Sequence, residues 1–213
     1  MRIGVFGGSF NPIHLGHLLV ADDVLRQLRL DRMLFVPAAV PPHRPDVLVS
    51  FEDRLHMVRL ALTGSKTAEA SAIEGGRQGP SYTVRTLEML RQRCAGDTLF
   101  LVLGADQYAA IHTWQEPDRL ARLARIVVIS RPGVPRPPLF SGHLPQRVRF
   151  LDVVPVDIAA ATIRRRASAG RSIRCLVPSA VGVYIRRRRL YHSLTRRSLS
   201  GHLMIRSQTT ARA

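Results

Sequence analysis

A segment near the start of the chain, residues 7–17, carries the side chains best suited to binding phosphate. It reads GGSFNPIHLGH and follows a short apolar stretch. Its glycines allow the backbone to approach an anion closely, and a helix beginning near Gly16 would point its free N–H groups and the positive end of its dipole at the same place. His14 and His17 are three positions apart, so they share one face if this segment is helical. We therefore expect two imidazoles and a bare backbone around one anion.

This arrangement suits nucleotidyl transfer, in which a phosphate oxygen attacks the α-phosphorus of a nucleoside triphosphate and pyrophosphate leaves. Such a transfer depends on positioning and on stabilising the charge of phosphate oxygens more than on covalent participation by the protein. Imidazole N–H groups supply that stabilisation. Taken alone, an H-x-x-H spacing is also typical of an ordinary helix start with surface histidines, so the surrounding residues must decide between the two interpretations.

The elements that must position these residues alternate along the chain. Apolar stretches predict strands, and apolar residues at helical spacing predict helices between several of them. The predicted strands are residues 2–6, 33–38, 67–73, 99–103, 126–130 and 148–154, and the predicted helices are residues 15–30, 51–62 and 84–93. This alternation predicts an α/β fold: a doubly wound, mainly parallel, Rossmann-like sheet of about six strands with helices on both faces and a small C-terminal helical part. Ligands of such sheets bind beyond the carboxyl ends of the strands.

The size and charge of the chain bound its domain organisation and its partners. The length of 213 residues fits one α/β domain, which we assign to residues 1–191. The formal charge of +17 is concentrated in residues 158–213, which contain 13 arginines and no acidic residue. Residues 192–213 lose apolar periodicity and are predicted to form a basic, disordered tail. Arginines of this kind suit a phosphate-rich small ligand as well as a polynucleotide, so charge alone does not identify the partner.

Targeting segments and metal motifs are missing from the sequence pattern. No stretch approaches the run of about 20 uncharged apolar residues that a membrane helix needs, and the chain opens on strand-like residues rather than on a leader. We expect a cytoplasmic protein that does not contact a membrane. Cys94 and Cys175 stand in no metal-ligand spacing, and no metal site on the protein is predicted. The sequence leaves open whether the chain forms a homo-oligomer.

Residues 7–17 resemble the G-G-[ST]-F-[DN]-P-x-H-x-G-H signature of the nicotinate-nucleotide adenylyltransferases, a family of the HxGH nucleotidyltransferase superfamily. The likeness extends over about residues 2–191. It implies that His14 and His17 are catalytic residues, which contact the ATP phosphates and stabilise the transition state. It also implies an ATP-binding role for the residues of the glycine turn, namely Gly7, Gly8, Ser9 and Phe10.

Two loops resemble the segments with which the family binds the mononucleotide. The PPHR loop resembles the family's PPH[KR] motif, which implies that His43 and Arg44 lie beside the phosphate of the mononucleotide. The SYTVRTL segment resembles the family's SYTVDTL motif, whose backbone near Thr83 meets the nicotinate carboxylate. Arg85 stands where the family usually has Asp, which leaves the backbone role intact and removes the contact that the acid would make.

A third block, GAD, follows the most apolar predicted strand. The resemblance implies that Gly104 and Asp106 meet the adenosine part of ATP, and that Trp114, eight residues after Asp106, stacks on the pyridine ring. A flat aromatic face is what a planar heteroaromatic substrate needs. Without the motif, the single Trp of the chain would be equally typical of packing.

The fourth block departs from the family. Members carry I-S-S-T-x-I-R at the start of a helix, whereas this chain has IAAATIR, so alanines at 159–161 replace three hydroxyls that would bind ATP phosphates. The resemblance still implies ATP binding by Ile163, Arg164 and the backbone amides. Each missing hydrogen bond is worth about 1–2 kcal/mol. The sequence therefore predicts weaker ATP binding than in a typical member, or compensation by the two arginines that follow Arg164.

The leading interpretation is an adenylyltransferase that joins the AMP moiety of ATP to nicotinate mononucleotide, giving deamido-NAD and pyrophosphate in NAD biosynthesis. Its partners are these two nucleotides, and Mg²⁺ is expected to be carried by ATP. A pantetheine-phosphate adenylyltransferase-like enzyme shares the histidine signature, but Thr83 and Trp114 argue against it. A non-catalytic basic nucleic-acid-binding relative is the alternative of another class, against which the retained histidines and glycine turn stand.

Overall fold

The computed structural model describes residues 1–42, 49–130 and 135–192. Within these ranges the chain forms one sheet of six strands: β1 (Arg2–Gly8), β2 (Arg32–Pro37), β3 (Ala68–Ala70), β4 (Thr98–Gly104), β5 (Arg125–Ser130) and β6 (Val148–Asp152). The spatial order is β3-β2-β1-β4-β5-β6, and every neighbouring pair is parallel. The predicted doubly wound parallel sheet is confirmed.

Helices cover both faces of the sheet in the described ranges. They are α1 (Leu15–Gln27), α2 (Phe51–Ala61), α3 (Thr83–Arg93), α4 (Ala105–Ala109), α5 (Pro117–Leu123), α6 (Ala160–Ser168) and α7 (Ser179–Arg187). Helices α1, α2, α6 and α7 share one apolar core with one face of the sheet, and α3, α4 and α5 share a second core with the other face. The small C-terminal helical part predicted from the sequence is the pair α6 and α7.

The central strands are apolar along almost their whole length because both of their faces are covered. In β4, five consecutive residues from Leu99 to Leu103 are at most 3% exposed, which is the pattern of a parallel strand buried on both sides. Helix α2 begins at Ser50, whose hydroxyl accepts a hydrogen bond from the Asp53 amide at 3.0 Å. That bond satisfies one of the amides left free at a helix start.

The strand order reverses between β1 and β4. After β1 the chain builds outward through β2 and β3, and then returns to the other side of β1 with β4. Such a reversal leaves a crevice beyond the carboxyl ends of the two strands, where open α/β sheets bind their ligands. Gly7 and Gly8 end β1 instead of following it as predicted, and the GAD segment begins at the last residue of β4; both lie at this crevice.

The structure differs from the sequence prediction in two further places. Strand β3 is three residues long, shorter than the predicted strand 67–73, because only residues 68–70 of that stretch pair with β2. Residues 105–123 contain helices α4 and α5 and a 3₁₀ helix, Ile111–Thr113, that the sequence analysis did not predict. These helices are too short for their apolar spacing to stand out.

Some expectations concern residues that the structure does not describe. His43, Arg44 and nearly all of the predicted tail, residues 193–213, lie outside the described ranges. Among the helices that are described, none is long and apolar enough to cross a membrane.

Candidate functional site

A cavity of about 1100 Å³ opens at the crevice beyond β1 and β4. Its volume is slightly above the usual range for small-molecule sites, about 300–1,000 Å³, so ligands of nucleotide size have room in it. Most of the residues predicted from the sequence line this cavity. They are Gly7, Gly8, Ser9, Phe10, His14, His17, Thr83, Gly104, Asp106, Trp114 and Arg164.

The two histidines of the signature stack on each other at the N-terminal end of α1. Their ring centroids are 3.6 Å apart, with an angle of 25° between the ring planes. His14 is the N-cap residue of α1, and its backbone N–H donates to Nδ1 of His17 at 3.2 Å. Because Nδ1 of His17 accepts this bond, the proton of the neutral ring lies on Nε2. His17 is therefore held as an Nε2–H donor.

Both rings are uncharged at neutral pH. Burial lowers the pKa of His14 to about 4, and burial together with the neighbouring His14 lowers the pKa of His17 to about 3. Two stacked imidazolium rings would repel each other, which the neutral forms avoid. Nδ1 of His14 is buried and has no hydrogen-bond partner within the described residues, so no such bond from this atom fixes the His14 ring.

The glycine turn leaves the floor of the cavity open. A Cβ atom at Gly7 would meet no atom within 4 Å, so a side chain there would project into the cavity. Phe10 has a φ of 43°, is 2% exposed, and packs edge-on against His17 with ring centroids 5.1 Å apart. The Phe10 ring thus helps to hold the His17 imidazole in place.

Asn11, which the sequence analysis did not single out, ties the glycine turn to the C-terminal part of the chain. The Arg164 guanidinium donates to the Asn11 carbonyl at 2.8 Å, and the Tyr191 hydroxyl donates to Oδ1 of Asn11 at 2.8 Å. Burial raises the pKa of Tyr191, so its hydroxyl stays a donor. Two side chains separated from Asn11 by more than 150 residues therefore fix the turn that precedes His14.

A second unpredicted residue, Arg54, joins the glycine turn to the loop after β2. It is 1% exposed and donates to the carbonyls of Ser9 at 2.9 Å and of Ala38 at 2.7 Å. It also donates to the carbonyls of Ala39 and Val49. A planar guanidinium with five N–H groups can satisfy several converging carbonyls at once. Arg54 thereby holds together two walls of the cavity.

The start of α6 presents backbone amides to the cavity. Residues 159–161 line it, and Ala159, the N-cap residue, makes no side-chain cap hydrogen bond. The first amides of the helix have no intrahelical partner, and they point at the site with the positive end of the helix dipole. Arg164 lies on the same side and also lines the cavity.

The expectation that Ile163 binds ATP is wrong. Its side chain is 0% exposed in the core shared by α1, α2, α6 and α7, and its amide donates to the Ala159 carbonyl at 3.2 Å. Neither its side chain nor its amide is available to a ligand. The reason is helical geometry, because Ile163 and Arg164 are neighbours in sequence and project in different directions around α6.

On the opposite wall, Thr83 begins α3 and reaches the cavity. The buried Glu74 orients this wall, because its carboxylate accepts from the Thr86 hydroxyl at 2.6 Å and from the Ala39 amide at 3.1 Å. Arg85, the departure from the family motif, is exposed and its guanidinium lies 5.5 Å from the Tyr82 ring centroid. The substitution therefore leaves the cavity wall as it is.

The GAD segment and the tryptophan close the remaining side. A Cβ at Gly104 would lie 2.5 Å from Oδ1 of Asp106, so a side chain there would displace the Asp106 carboxylate. Trp114 follows the 3₁₀ helix, lines the cavity and packs partly against the second core. Pro41 and Pro42 also line it, while His43 and Arg44 lie outside the described residues. No group of three metal-ligating side chains occurs in the described ranges.

This geometry, a phosphate-binding mouth at the reversal point of a parallel sheet, is that of a nucleotidyltransferase. A model of the cytidylyltransferase-like family matches residues 5–174. A protein of Thermus thermophilus named "probable nicotinate-nucleotide adenylyltransferase" is 48% identical over 191 residues, which cover 90% of this chain and 100% of that protein. A protein of Rubrobacter xylanophilus with the same name is 40% identical over 206 residues, covering 93% and 95%. The chain belongs to the nicotinate-nucleotide adenylyltransferase family.

Solved structures agree with this fold. The nicotinic acid mononucleotide adenylyltransferase of Plasmodium falciparum, solved in complex with NaAD, superposes with a TM-score of 0.71 over 90% of this chain and 97% of that chain. A second structure of that protein, in complex with APC, gives a TM-score of 0.70. The sequence identity is 18% in both cases, so this likeness speaks for the architecture alone.

Proposed function

We propose that this chain transfers the adenylyl group of ATP to nicotinate mononucleotide, forming deamido-NAD and releasing pyrophosphate. The observation that carries the proposal is the stacked pair of His14 and His17 beside an open glycine turn, at the mouth of a cavity large enough for both substrates. The family membership and the names of its relatives support the same reaction.

In this mechanism the mononucleotide phosphate attacks the α-phosphorus of ATP, and the bond to pyrophosphate breaks. The protein forms no covalent bond, and its contribution is to align the two phosphates and to stabilise their charge. His17 donates from Nε2, and His14, whose ring stacks on that of His17 and lines the cavity, is the second candidate contact. The free amides at the start of α6 and the guanidinium of Arg164 provide further donors to phosphate oxygens.

We propose that Mg²⁺ arrives with ATP and neutralises triphosphate oxygens during the transfer. Two acidic side chains, Glu74 and Asp106, are among the described residues that line the cavity. The Glu74 carboxylate is bonded to Thr86 and to the Ala39 amide. This donor set fits a metal held mainly by phosphate oxygens and water rather than by a protein cage.

The start of α3 supports nicotinate as the preferred ring. Tyr82, the N-cap residue, makes no side-chain cap hydrogen bond, so the first amides of this eleven-residue helix are free to bond a carboxylate. Thr83 lies at this point of the cavity wall, and Trp114 offers a flat face for the pyridine ring. A neutral carboxamide would gain less from the helix dipole than a carboxylate does.

The test is release of pyrophosphate from ATP with three acceptors: nicotinate mononucleotide, nicotinamide mononucleotide and phosphopantetheine. Nicotinate mononucleotide should give the highest kcat/KM. His17→Ala should lower kcat by about 100-fold or more, because it removes a donor to developing charge. His56→Ala, which removes an exposed imidazole on α2, is the control and should retain activity. Faster turnover of phosphopantetheine, or full activity of His17→Ala, would contradict the proposal.

A further inference from the structure

A second cavity, of about 290 Å³, lies at the opposite edge of the sheet, where the strands begin. Four arginines line it: Arg2 at the start of β1, Arg125 at the start of β5, Arg149 in β6, and Arg147 in the 3₁₀ helix that precedes β6. Phe100 of β4 also lines it. We call these four arginines and Phe100 the arginine groove.

The strand register places three of the arginines on one face of the sheet. Arg125 pairs with Phe100, and Arg149 pairs with Val127, two positions beyond Arg125 on β5. Because side chains alternate between faces, Arg125, Val127 and Arg149 project on the same side as Phe100. The same alternation puts Arg2 on this side, two positions before the β1 partner of Phe100. With strands about 4.8 Å apart, the three cations span four adjacent strands.

The positive charge of the groove is not neutralised within the described part of the chain. No carboxylate lines the cavity, and none of the four guanidiniums forms an ion pair with a described residue. Arg2 and Arg125 both lie over the single ring of Phe100, with their Cζ atoms 4.9 and 5.8 Å from its centroid. Two cations close to one ring raise the local positive potential, and a bound anion would offset it.

Two of the arginines are fixed by the backbone, which gives the groove a defined shape. Arg2 donates to the Leu28 carbonyl at 2.8 Å, and Arg147 donates to the Ala121 carbonyl at 2.7 Å. Arg125 and Arg149 are exposed and their guanidiniums make no hydrogen bond to a described residue, so these N–H groups are available to a ligand. The groove thus combines anchored and free guanidiniums.

We propose that the arginine groove binds a small phosphate-bearing anion at a site separate from the catalytic cavity. A guanidinium presents its N–H groups in a fork that matches two phosphate oxygens, and the available volume suits one or two phosphate groups rather than a large ligand. The phosphate can belong to a free inorganic anion or to a nucleotide. The groove opens at the amino ends of the strands and the catalytic cavity at their carboxyl ends, so one ligand cannot occupy both.

The test is a titration of ¹⁵N-labelled full-length protein followed by NMR, with orthophosphate, pyrophosphate, AMP and an oligothymidylate as separate probes. Backbone amides of residues 7–17 report on the catalytic cavity, whereas those of Phe100, Arg125 and Gln146 report on the groove. We expect saturable shifts of the groove amides with at least one probe. The double variant Arg125→Gln, Arg149→Gln should weaken this binding by about tenfold or more, since two charge-assisted contacts are lost.

The matched control is Arg186→Gln with Arg187→Gln, which removes the same charge from an exposed face of α7. This control should bind the probes at the groove as the unmodified chain does. Tighter binding of AMP than of the inorganic anions would identify a nucleotide phosphate as the ligand, and the reverse would identify a free anion. The proposal is wrong if the groove amides do not saturate, if both double variants lose binding equally, or if only an oligothymidylate shifts these amides.

Discussion

Removing one oxygen atom from Tyr191 tests how the C-terminal segment supports the glycine turn. Tyr191 is 4% exposed and Asn11 is 6% exposed, and the hydroxyl donates to Oδ1 of Asn11 at 2.8 Å. Tyr191→Phe keeps the ring and leaves a buried acceptor without its partner. That change costs about 1–3 kcal/mol of unfolding free energy. For a chain of this size, the midpoint of thermal unfolding falls by about 2–4 °C per kcal/mol.

Activity should fall as well, because Asn11 lies between the glycine turn and His14. Small displacements of aligned phosphates lower the rate steeply, so kcat should decrease by more than the loss of folded protein explains. Tyr184→Phe is the matched control: its hydroxyl donates to the Asp53 carboxylate, which also accepts from Ser50. Its cost should be smaller than that of Tyr191→Phe, because the Asp53 carboxylate keeps its contacts with Ser50 and Arg188. Calorimetry measures the stability of both variants, and pyrophosphate release measures their activity. Equal losses of stability and activity in the two variants would show that the Tyr191–Asn11 hydrogen bond has no special role in supporting the glycine turn.

Two further predictions concern the anion-binding residues. The unfolded chain takes up protons on imidazoles as the pH falls below their ordinary pKa of 6.5, whereas folded His14 and His17, with pKa values of about 4 and about 3, stay neutral. At pH 5, about 1.5 pH units below the ordinary pKa, this difference destabilises the fold by at most about 2 kcal/mol per ring. Urea unfolding at pH 7 and pH 5 should therefore show a smaller loss of unfolding free energy for the His14→Gln, His17→Gln double variant than for the unmodified chain. An equal loss would contradict the lowered pKa values of the two histidines. Replacing the alanines at 159–161 by Ser-Ser-Thr should lower the KM for ATP by about fivefold or more, since each hydroxyl adds a hydrogen bond worth about 1 kcal/mol, and an unchanged KM would show that the backbone amides and Arg164 already suffice.

The sheet and the position of the site could be predicted from the sequence because their signals are local. A strand buried on both faces is a continuous apolar run, as in β4, and the glycine turn and the two histidines fall within eleven consecutive residues. Once the strands alternate with helices, the strands run parallel, so all of their carboxyl ends lie at one edge of the sheet. The residues following β1 and β4 must then meet, and they do.

The residues that hold the site together could not be predicted, because their partners are distant in sequence. Arg54 looks like one more arginine on an amphipathic helix, and only the folded chain shows four carbonyls converging on it. Tyr191 is separated from Asn11 by 180 residues. The prediction that Ile163 binds ATP was wrong for a local reason. A motif states which residues occur together, whereas the direction in which each side chain leaves the helix decides which of them face the ligand.

The basic C-terminal quarter can be understood from these contacts. Several of its arginines bond the protein itself: Arg164 donates to the Asn11 carbonyl, Arg166 donates to the Ser172 carbonyl, and Arg188 pairs with Asp53. Arginines used in this way hold parts of the fold together as well as carrying charge. The one that reaches the catalytic cavity, Arg164, stands beside free helix amides where hydroxyls are missing. Excess positive charge near that cavity is what a protein that binds two phosphorylated substrates requires, because local positive potential raises the concentration of its anionic ligands.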